Sequence, residues 1–386
     1  MLSIDSYPHI HDIHFHHTKK RLSDLFMGMN AGGLGYVVPL YSSEKKNLPS
    51  PPLTVPRDIV HVESYWDEML SYRLECNDRR IWGHDWGIPM IKPNFQGYGL
   101  SSVAYGSKYT SVPCGTTPVC ATLDDFDKLE RITIDNDVIK YALSFLSFID
   151  SHIRGKAPIE MFHFDGPFSA AGLIINAAEV LMSTVGQPEK LRDLLSHLTD
   201  LYISFVGRQK TIIGNFSIQT MHDTWWPQEC GVMCEDDSVI NLSPKAFADF
   251  IVPCYNRLSE AFGGFGVHCC GDYSHLFTAL RDNVKNLRAI WINAAECPFE
   301  KAAEVFKGTQ TVVIIRWPMN KTKFFRNRAE FVTDTLKIKP DDLSVFIQAH
   351  YFHPEYDSIA ENETNQNIRG YEIMSILERF SSFGVI

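Results

Sequence analysis

Apolar and polar positions alternate most regularly in the second half of the chain, where short apolar runs are separated by longer helical patterns. Helical patterns cover residues 168–182 and 188–209, and a last one covers 366–380. Between them lie the apolar runs and helices 211–219, 244–262, 266–270, 275–283, 287–293, 298–306, 311–317 and 344–350. Short apolar strands separated by helices indicate βαβ units and a parallel sheet. Their number over roughly 230 residues predicts an α/β fold of the (β/α)8 TIM-barrel type.

The first 80 residues are less regular and predict an N-terminal extension that packs on a barrel domain of residues 81–386. A short helix is expected over 18–29, and a proline-rich connector over 47–56. Residues 60–118 predict strands or an irregular excursion. A histidine cluster before the helix (His9, His11, His14, His16 and His17) is either a metal-binding tail or an irregular segment with neighbouring imidazoles.

Composition narrows the class of protein. The chain has 386 residues, 45% of them hydrophobic, and its 36 basic against 46 acidic side chains give a formal net charge of −10. This is globular composition, and its acidic balance makes nucleic acid an unexpected partner. The sequence has no apolar run of membrane-spanning length and no pattern of a signal peptide. Together with an odd count of nine cysteines, this predicts a cytoplasmic protein with reduced thiols.

Polar side chains follow four of the predicted strands. They occur at 163–167 (His-Phe-Asp-Gly-Pro), 219–223 (Gln-Thr-Met-His-Asp) and 268–272 (His-Cys-Cys-Gly-Asp), and at His350 with His353. In a barrel of this type the carboxyl ends of the strands carry the active site, so these clusters predict a polar pocket at one rim. Trp86, Trp225, Trp226, Tyr351 and Phe352 are either walls of that pocket or core residues.

The most informative of these clusters is Val267-His268-Cys269-Cys270-Gly271. Side chains alternate along a strand, so His268 and Cys270 face one side and Cys269 faces the other. Imidazole and thiolate are zinc ligands, but two of them do not complete a site. The alternative is a buried histidine beside thiols that act as small hydrophobic groups.

A series of motifs from about residue 80 onward carries a family resemblance. They are Asp85-Trp86-Gly87, Phe164-Asp165-Gly166-Pro167-Phe168-Ser169 with the helices after it, Cys234-Glu235-Asp236-Asp237 before Leu242-Ser243-Pro244, and His268-Cys269-Cys270-Gly271. Together they resemble the uroporphyrinogen decarboxylase superfamily, and specifically its methyltransferase branch, whose zinc site contains His-x-Cys-Gly. The resemblance implies zinc bound by His268 and Cys270, a pocket lined by Asp165, and methyl transfer to or from a corrinoid carried by a partner protein.

Two departures from the family pattern modify this expectation. The arginine-rich N-terminal segment with which true decarboxylases hold the substrate has no counterpart, because Arg79-Arg80 lies in a different context. The methyltransferase branch also supplies a third zinc ligand as a cysteine near the last strand, whereas no cysteine follows Cys297 here. His350, at the end of the last strand, is the predicted replacement, with Glu296 and Cys297 next in line. The Cys230 and Cys234 pair is a weaker metal candidate.

These observations predict a zinc-assisted methyltransferase acting on a methoxylated aromatic, a methylamine or a thiol. Asp165, His222 and Asp237 are the candidate catalytic residues, although adjacent His222 and Asp223 face opposite sides of a strand. One alternative is a metal-independent carbon–carbon lyase that uses Asp165 or Asp237, for which Arg316 is the strand-end cation. The other is a non-catalytic binding protein on the same barrel.

Overall fold

The structure is a computed structural model and describes residues 13–29, 32–37, 40–41, 71, 80–81, 86–88, 90–91, 93, 99–108, 117–153, 155–214, 217–218, 225–317, 328–349 and 373–377. The strands are β1 (Leu34–Val37), β2 (Leu40–Tyr41), β3 (Arg80–Ile81), β4 (Ile159–Glu160), β5 (Ser217–Ile218), β6 (Val232–Glu235), β7 (Phe265–His268), β8 (Leu287–Asn293), β9 (Val312–Arg316) and β10 (Val345–Gln348).

Helices precede and separate these strands. They are α1 (Ile13–Phe26), α2 (Leu100–Ala104), α3 (Leu123–Phe126), α4 (Asp137–Ile153), α5 (Pro167–Ile174), α6 (Ala177–Gly186), α7 (Pro188–Ile213), α8 (Pro244–Ala246), α9 (Val252–Phe262), α10 (Phe277–Asn283), α11 (Phe299–Phe306) and α12 (Arg328–Ile338). A π-helical turn, Phe247–Ile251, joins α8 to α9. Short 3₁₀ helices lie at Gln228–Cys230, Asp237–Asn241 and Ser274–Leu276.

The main sheet is parallel throughout and has the strand order β1-β10-β9-β8-β7-β6. Strands β4 and β5 form a second parallel pair. A parallel bridge between Asp165 and Glu235 brings the segment after β4 beside β6, and another joins Ile91 to Ile159. The sheet is therefore extended on the β6 side by the segments before it in the chain.

Alternate side chains of the main sheet enter two different hydrophobic clusters. The outer cluster packs against the helices and includes Val267, Ile290 and Ile315. The inner cluster combines Met233 of β6 with Phe346 of β10, which lie four strands apart in the sheet order. Because both strands contribute to one inner core, the sheet curves around it as the wall of a barrel does.

Helix α1 covers one end of the inner core. Phe15, Leu22 and Phe26 recur at helical spacing and are buried there. The ring centroid of Phe26 lies 4.9 Å from that of Trp226 and 5.8 Å from that of Phe346. Residues before the predicted domain boundary at 80 thus take part in the barrel, and β1 is itself a strand of the main sheet. The boundary itself stays a prediction.

The sequence patterns after residue 230 match most of the observed elements, but they include neither β6 nor α12. The patterns before residue 230 need more corrections. The helix predicted over 168–182 is two helices, because Ile175 is extended and the Asn176 side chain accepts a hydrogen bond from the amide of Ala178, the N-cap of α6. Helix α7 continues to Ile213, and Gly214 ends it with a φ of 57°. Among its described residues, the run predicted at 211–219 contains the end of α7 and the short strand β5. Helix α4 was not predicted at all.

None of the helices that the structure describes is long and apolar enough to cross a membrane.

Replacing Phe26 with alanine should destabilise the protein by about 3–5 kcal/mol, because a fully buried ring is lost from the inner core. Urea denaturation measures the change. Met29 lies just beyond the same helix and is 72% exposed, so Met29→Ala is the matched control and should change stability by less than about 0.5 kcal/mol. Equal unfolding midpoints for the two variants would contradict the position given to α1.

Candidate metal centre

Four side chains that can bind a metal converge where β6 and β7 end. Glu235, Asp237, His268 and Cys270 each offer one ligand atom, and these atoms lie within 4.8 Å of one another. The parallel register pairs Glu235 with His268, so the two strand ends lie side by side. Asp237 and Cys270 each follow two residues later. We call these four side chains the donor cluster.

The separations within the donor cluster suit a tetrahedral ion. The Nε2 atom of His268 lies 3.2 Å from Sγ of Cys270 and 3.7 Å from Oε1 of Glu235. Around zinc, with bonds of about 2.0–2.3 Å, neighbouring donor atoms are roughly 3.3–3.8 Å apart. One imidazole, one thiol and carboxylate oxygens are also ligands that zinc accepts. The residues present therefore fit this metal.

The end of β7 holds His268 and Cys270 on one side, as strand alternation predicts. Cys269 is fully buried in the outer cluster instead. The ring of His268 stacks on Trp291 with a centroid distance of 3.8 Å and an interplanar angle of 11°. Trp291 in turn donates a hydrogen bond from Nε1 to Oε1 of Gln348, at 2.7 Å. This chain of contacts fixes the plane of the imidazole.

The protonation states of His268 and Cys270 suit metal binding. Burial, with the nearby charge of Arg316, holds the pKa of His268 well below its usual value, so its ring is neutral and has a lone pair to donate. Burial, with Asp237 and Glu235, raises the pKa of Cys270. Its thiol therefore keeps its proton, and binding of a metal ion would release that proton.

Asp236 anchors the acidic stretch that follows β6. Its carboxylate accepts hydrogen bonds from the amides of Ser169 (2.7 Å) and Phe168 (3.4 Å) and from the hydroxyl of Tyr255 (3.2 Å). Burial raises the pKa of Asp236 to about 6, although these hydrogen bonds favour the charged form. With Asp236 held in the core, Glu235 and Asp237 on either side of it are directed to the cluster. Asp237 also accepts a hydrogen bond from the amide of Cys270, at 2.7 Å.

A second group of buried polar side chains lies behind Glu235. Nδ1 of His163 is 3.5 Å from Oε2 of Glu235, and Nε2 of the same ring is 3.5 Å from Oδ1 of Asp165. Asp165 accepts a hydrogen bond from the hydroxyl of Ser101, at 2.8 Å. Burial alone would lower the pKa of His163, but Glu235 and Asp165 outweigh it and raise the pKa to about 9. The imidazole between the two carboxylates is therefore charged.

The structure brings together some of the residues singled out in the sequence. His268, Cys270 and Asp237 meet in the donor cluster, whereas Asp165 lies beside His163 and is not one of the four donors. His222 and His350 lie outside the described residues, as do Asp223, His353, Tyr351 and Phe352. The roles assigned to them stay predictions.

The weaker candidates lie elsewhere. Glu296 lines a cavity of about 330 Å³ between α11 and α12. Cys297 is fully buried next to Asp272. Cys230 and Cys234 belong to different clusters, the first inner and the second outer. Trp225 and Trp226 are buried members of the inner core.

Two participants were missed as site residues, Glu235 and the histidine behind it, His163. Glu235 was quoted only as part of an acidic stretch, and His163 only as part of a strand-end cluster. The available signal was their position at the carboxyl ends of buried apolar runs, the same position that identified His268.

Known proteins resemble this chain in sequence and in fold. The uroporphyrinogen decarboxylase (URO-D) family matches residues 96–225, which include Ser101, His163 and Asp165. The predicted resemblance to this superfamily is confirmed. A methyltransferase from Methanosarcina mazei has a similar structure, with a TM-score of 0.60 and 13% sequence identity over 94% of this chain and 99% of its own. No curated protein matches the sequence.

These similarities, with the curved parallel sheet, confirm the predicted α/β fold of the TIM-barrel class. The donor cluster follows residue 225, outside the matched URO-D segment, whereas His163 and Asp165 lie inside it. The site is thus assembled from both parts of the chain.

Gly166→Ala should destabilise the protein by about 1–3 kcal/mol, because a β carbon there would lie 2.6 Å from Cβ of Asp236. The backbone at Gly166 has a φ of −60°, so only this clash opposes alanine. Gly207→Ala in α7 is the control, since its β carbon meets no described atom within 4 Å, and it should stabilise the helix by about 0.5–1 kcal/mol. Urea denaturation compares the two, and an unchanged midpoint for Gly166→Ala would argue against the contact.

The charge of His163 should make stability depend on pH. Its folded pKa of about 9 exceeds the ordinary 6.5, so its charge stabilises the fold fully below pH 6.5 and this contribution is lost as the pH rises through 9. The difference in unfolding free energy between the wild type and His163→Gln should therefore shrink between pH 6.5 and 9 in metal-free protein.

His197→Gln is the control of opposite sign. Burial lowers the pKa of His197, so the wild type should lose stability relative to this variant as the pH falls below 6.5. A pH-independent difference for His163→Gln would contradict a charged His163.

Proposed function

We propose that this protein is a zinc-assisted methyltransferase that moves a methyl group between a small substrate and a corrinoid carried by a partner protein. The observation that carries the proposal is the donor cluster at the carboxyl ends of β6 and β7. In barrels of this class the active site lies at that end of the strands. The URO-D match and the similarity to the Methanosarcina mazei methyltransferase support a function in methyl transfer.

His268, Cys270 and Glu235 would hold the metal, with Asp237 beside the fourth position. Catalytic zinc keeps three protein ligands and one position open for substrate. Of the four donors, Asp237 is the one that we expect not to bind the metal, because its Oδ1 already accepts a hydrogen bond from the amide of Cys270. His350 remains a predicted ligand from the last strand.

Bound zinc would act as a Lewis acid toward the oxygen, nitrogen or sulfur that carries or receives the methyl group. The chain's own residues prepare the site for that role. The stacked Trp291 orients His268, and Asp236 holds the acidic stretch in place. Burial raises the pKa of Asp237, which makes it a suitable proton acceptor for a thiol substrate or donor for a leaving group.

Methylated thiols, methylamines and methyl ethers of phenols all have a heteroatom bonded to the methyl carbon. This heteroatom is the atom that the metal would bind. With a thiol as acceptor, the S–H proton would pass to Asp237, an S–CH₃ bond would form, and the bond from methyl to cobalt would break with its electron pair left on cobalt. A cytoplasmic location is part of this proposal, since the corrinoid partner and reduced Cys270 both need a reducing compartment.

Metal analysis and a methyl-transfer assay test the proposal together. The purified protein should contain about one zinc per chain, and it should accelerate methyl transfer from methylcobalamin to a thiol, followed by absorbance. His268→Ala and Cys270→Ser should lose the zinc and the activity while circular dichroism stays unchanged. His275→Gln is the control, because Nε2 of His275 lies 2.9 Å from the carbonyl oxygen of Leu242 and His275 is not part of the donor cluster.

Protein that takes up no zinc from zinc-supplemented medium would overturn the proposal. A carbon–carbon lyase with Arg316 as its cation, or a binding protein, would then be tested instead. Zinc retained in both ligand variants would equally reject the donor cluster as its site. His350→Ala, measured in parallel, shows whether the last strand contributes a ligand.

A further inference from the structure

A row of buried polar side chains continues inward from the donor cluster. It runs from Glu235 to His163, from His163 to Asp165, and from Asp165 to Ser101, with separations of 3.5, 3.5 and 2.8 Å. All four side chains are less than 10% exposed. Such a row is expensive to bury unless each member is paired, so its persistence in the core requires a physical reason.

The two oxygens of Glu235 have separate environments. Oε1 lies 3.7 Å from Nε2 of His268 and is the oxygen turned to the donor cluster. Oε2 lies 3.5 Å from Nδ1 of His163. A carboxylate whose second oxygen faces a fixed imidazole presents its first oxygen in one orientation only.

The imidazole of His163 is itself fixed on its far side. Its Nε2 faces Oδ1 of Asp165, whose other oxygen, Oδ2, accepts the hydrogen bond from Ser101. Ser101 lies on α2, and the backbone of Asp165 bridges to Glu235 in parallel register. The row therefore ties two segments distant in sequence, α2 and residues 163–165, to the single carboxylate that ends β6.

We propose that His163, held by Asp165 and Ser101, is a positioning residue that fixes Glu235 as a metal ligand. The inference rests on the proposed function, because it requires a metal in the donor cluster. It assigns Asp165 an orienting role in place of the catalytic role expected from the sequence. Second-layer partners of this kind typically contribute a factor of about 10–100 to metal affinity.

Metal affinity tests the inference without any methyl transfer. Zinc and cobalt(II) dissociation constants are measured by competition with a chelator for the wild type, His163→Gln, Glu235→Gln and the double variant. His163→Gln should weaken binding by about 10–100-fold. In the Glu235→Gln background the same substitution should weaken binding no further, because His163 acts through Glu235.

The absorption spectrum of the cobalt(II) protein separates positioning from general destabilisation. The visible bands of cobalt report the geometry of its ligands, so His163→Gln and Glu235→Gln should shift them in the same way. The thiolate band from Cys270 should remain in both. Asp165→Asn, which weakens the hold on the ring, should give a smaller change of the same kind.

His197→Gln is the matched control. His197 is a partly buried histidine whose Nε2 is 2.7 Å from the hydroxyl of Tyr105, in a pair that does not involve the donor cluster. Its metal affinity and cobalt spectrum should equal those of the wild type. Thermal unfolding of each metal-free variant identifies any that fail to fold, and in that case Asp165→Asn replaces His163→Gln in the comparison.

The outcomes distinguish failure of the inference from failure of the proposed function. If the wild type binds neither zinc nor cobalt(II), both the inference and the proposed function are overturned. A wild type that binds, with unchanged affinity in His163→Gln, overturns the inference and leaves the proposed function standing. Equal losses from His163→Gln with and without Glu235 would also overturn it, because His163 would then act independently of that carboxylate.

Discussion

Parallel pairing of β6 with β7 sets Glu235 directly beside His268, and the donor cluster depends on that register. Asp237 lies two residues after Glu235, and Cys270 lies two residues after His268. The pairing of Glu235 with His268 therefore aligns all four donors. A shift of one residue would turn Cys234 or Asp236 toward His268 and move Glu235 to the opposite face. The outer face resists such a shift, because Cys234 and Val267 are buried against the helices.

The charged groups of Asp236 and His163 are tolerated in the core because each has specific partners. Asp236 receives two backbone amides and a tyrosine hydroxyl, and the charged ring of His163 lies between two carboxylates. Unpaired buried charges would cost several kcal/mol each. The donor cluster still combines two carboxylates with a thiol, and a bound cation would offset their repulsion and release the thiol proton. The same pairing that stabilises the core therefore also sets the arrangement of the donor cluster, which the proposed function assigns to a metal.

The hydrophobic support of the barrel and its polar site lie at different ends of the strands. The inner core, covered by α1, supports the strands from one end, and the polar residues collect where the strands finish. A fold of this class hosts many activities, so the barrel alone does not specify the chemistry. The proposed function assigns that specificity to the donor cluster, in which carboxylates of the β6 end accompany the imidazole and thiol of β7.

Strand β6 and helix α12 were not predicted from the sequence. Local patterns were nevertheless sufficient for strands β7 to β10 and for the pairing of His268 with Cys270. Both depend on spacing along a single segment, where alternation puts the two side chains on one face. The break between α5 and α6 was missed because the Asn176 cap outweighs a continuous apolar pattern. The remaining donors, and His163 behind them, come from other strands. Their distances to His268 depend on the register between strands, a contact between segments far apart in the chain, and only the tertiary structure decides that.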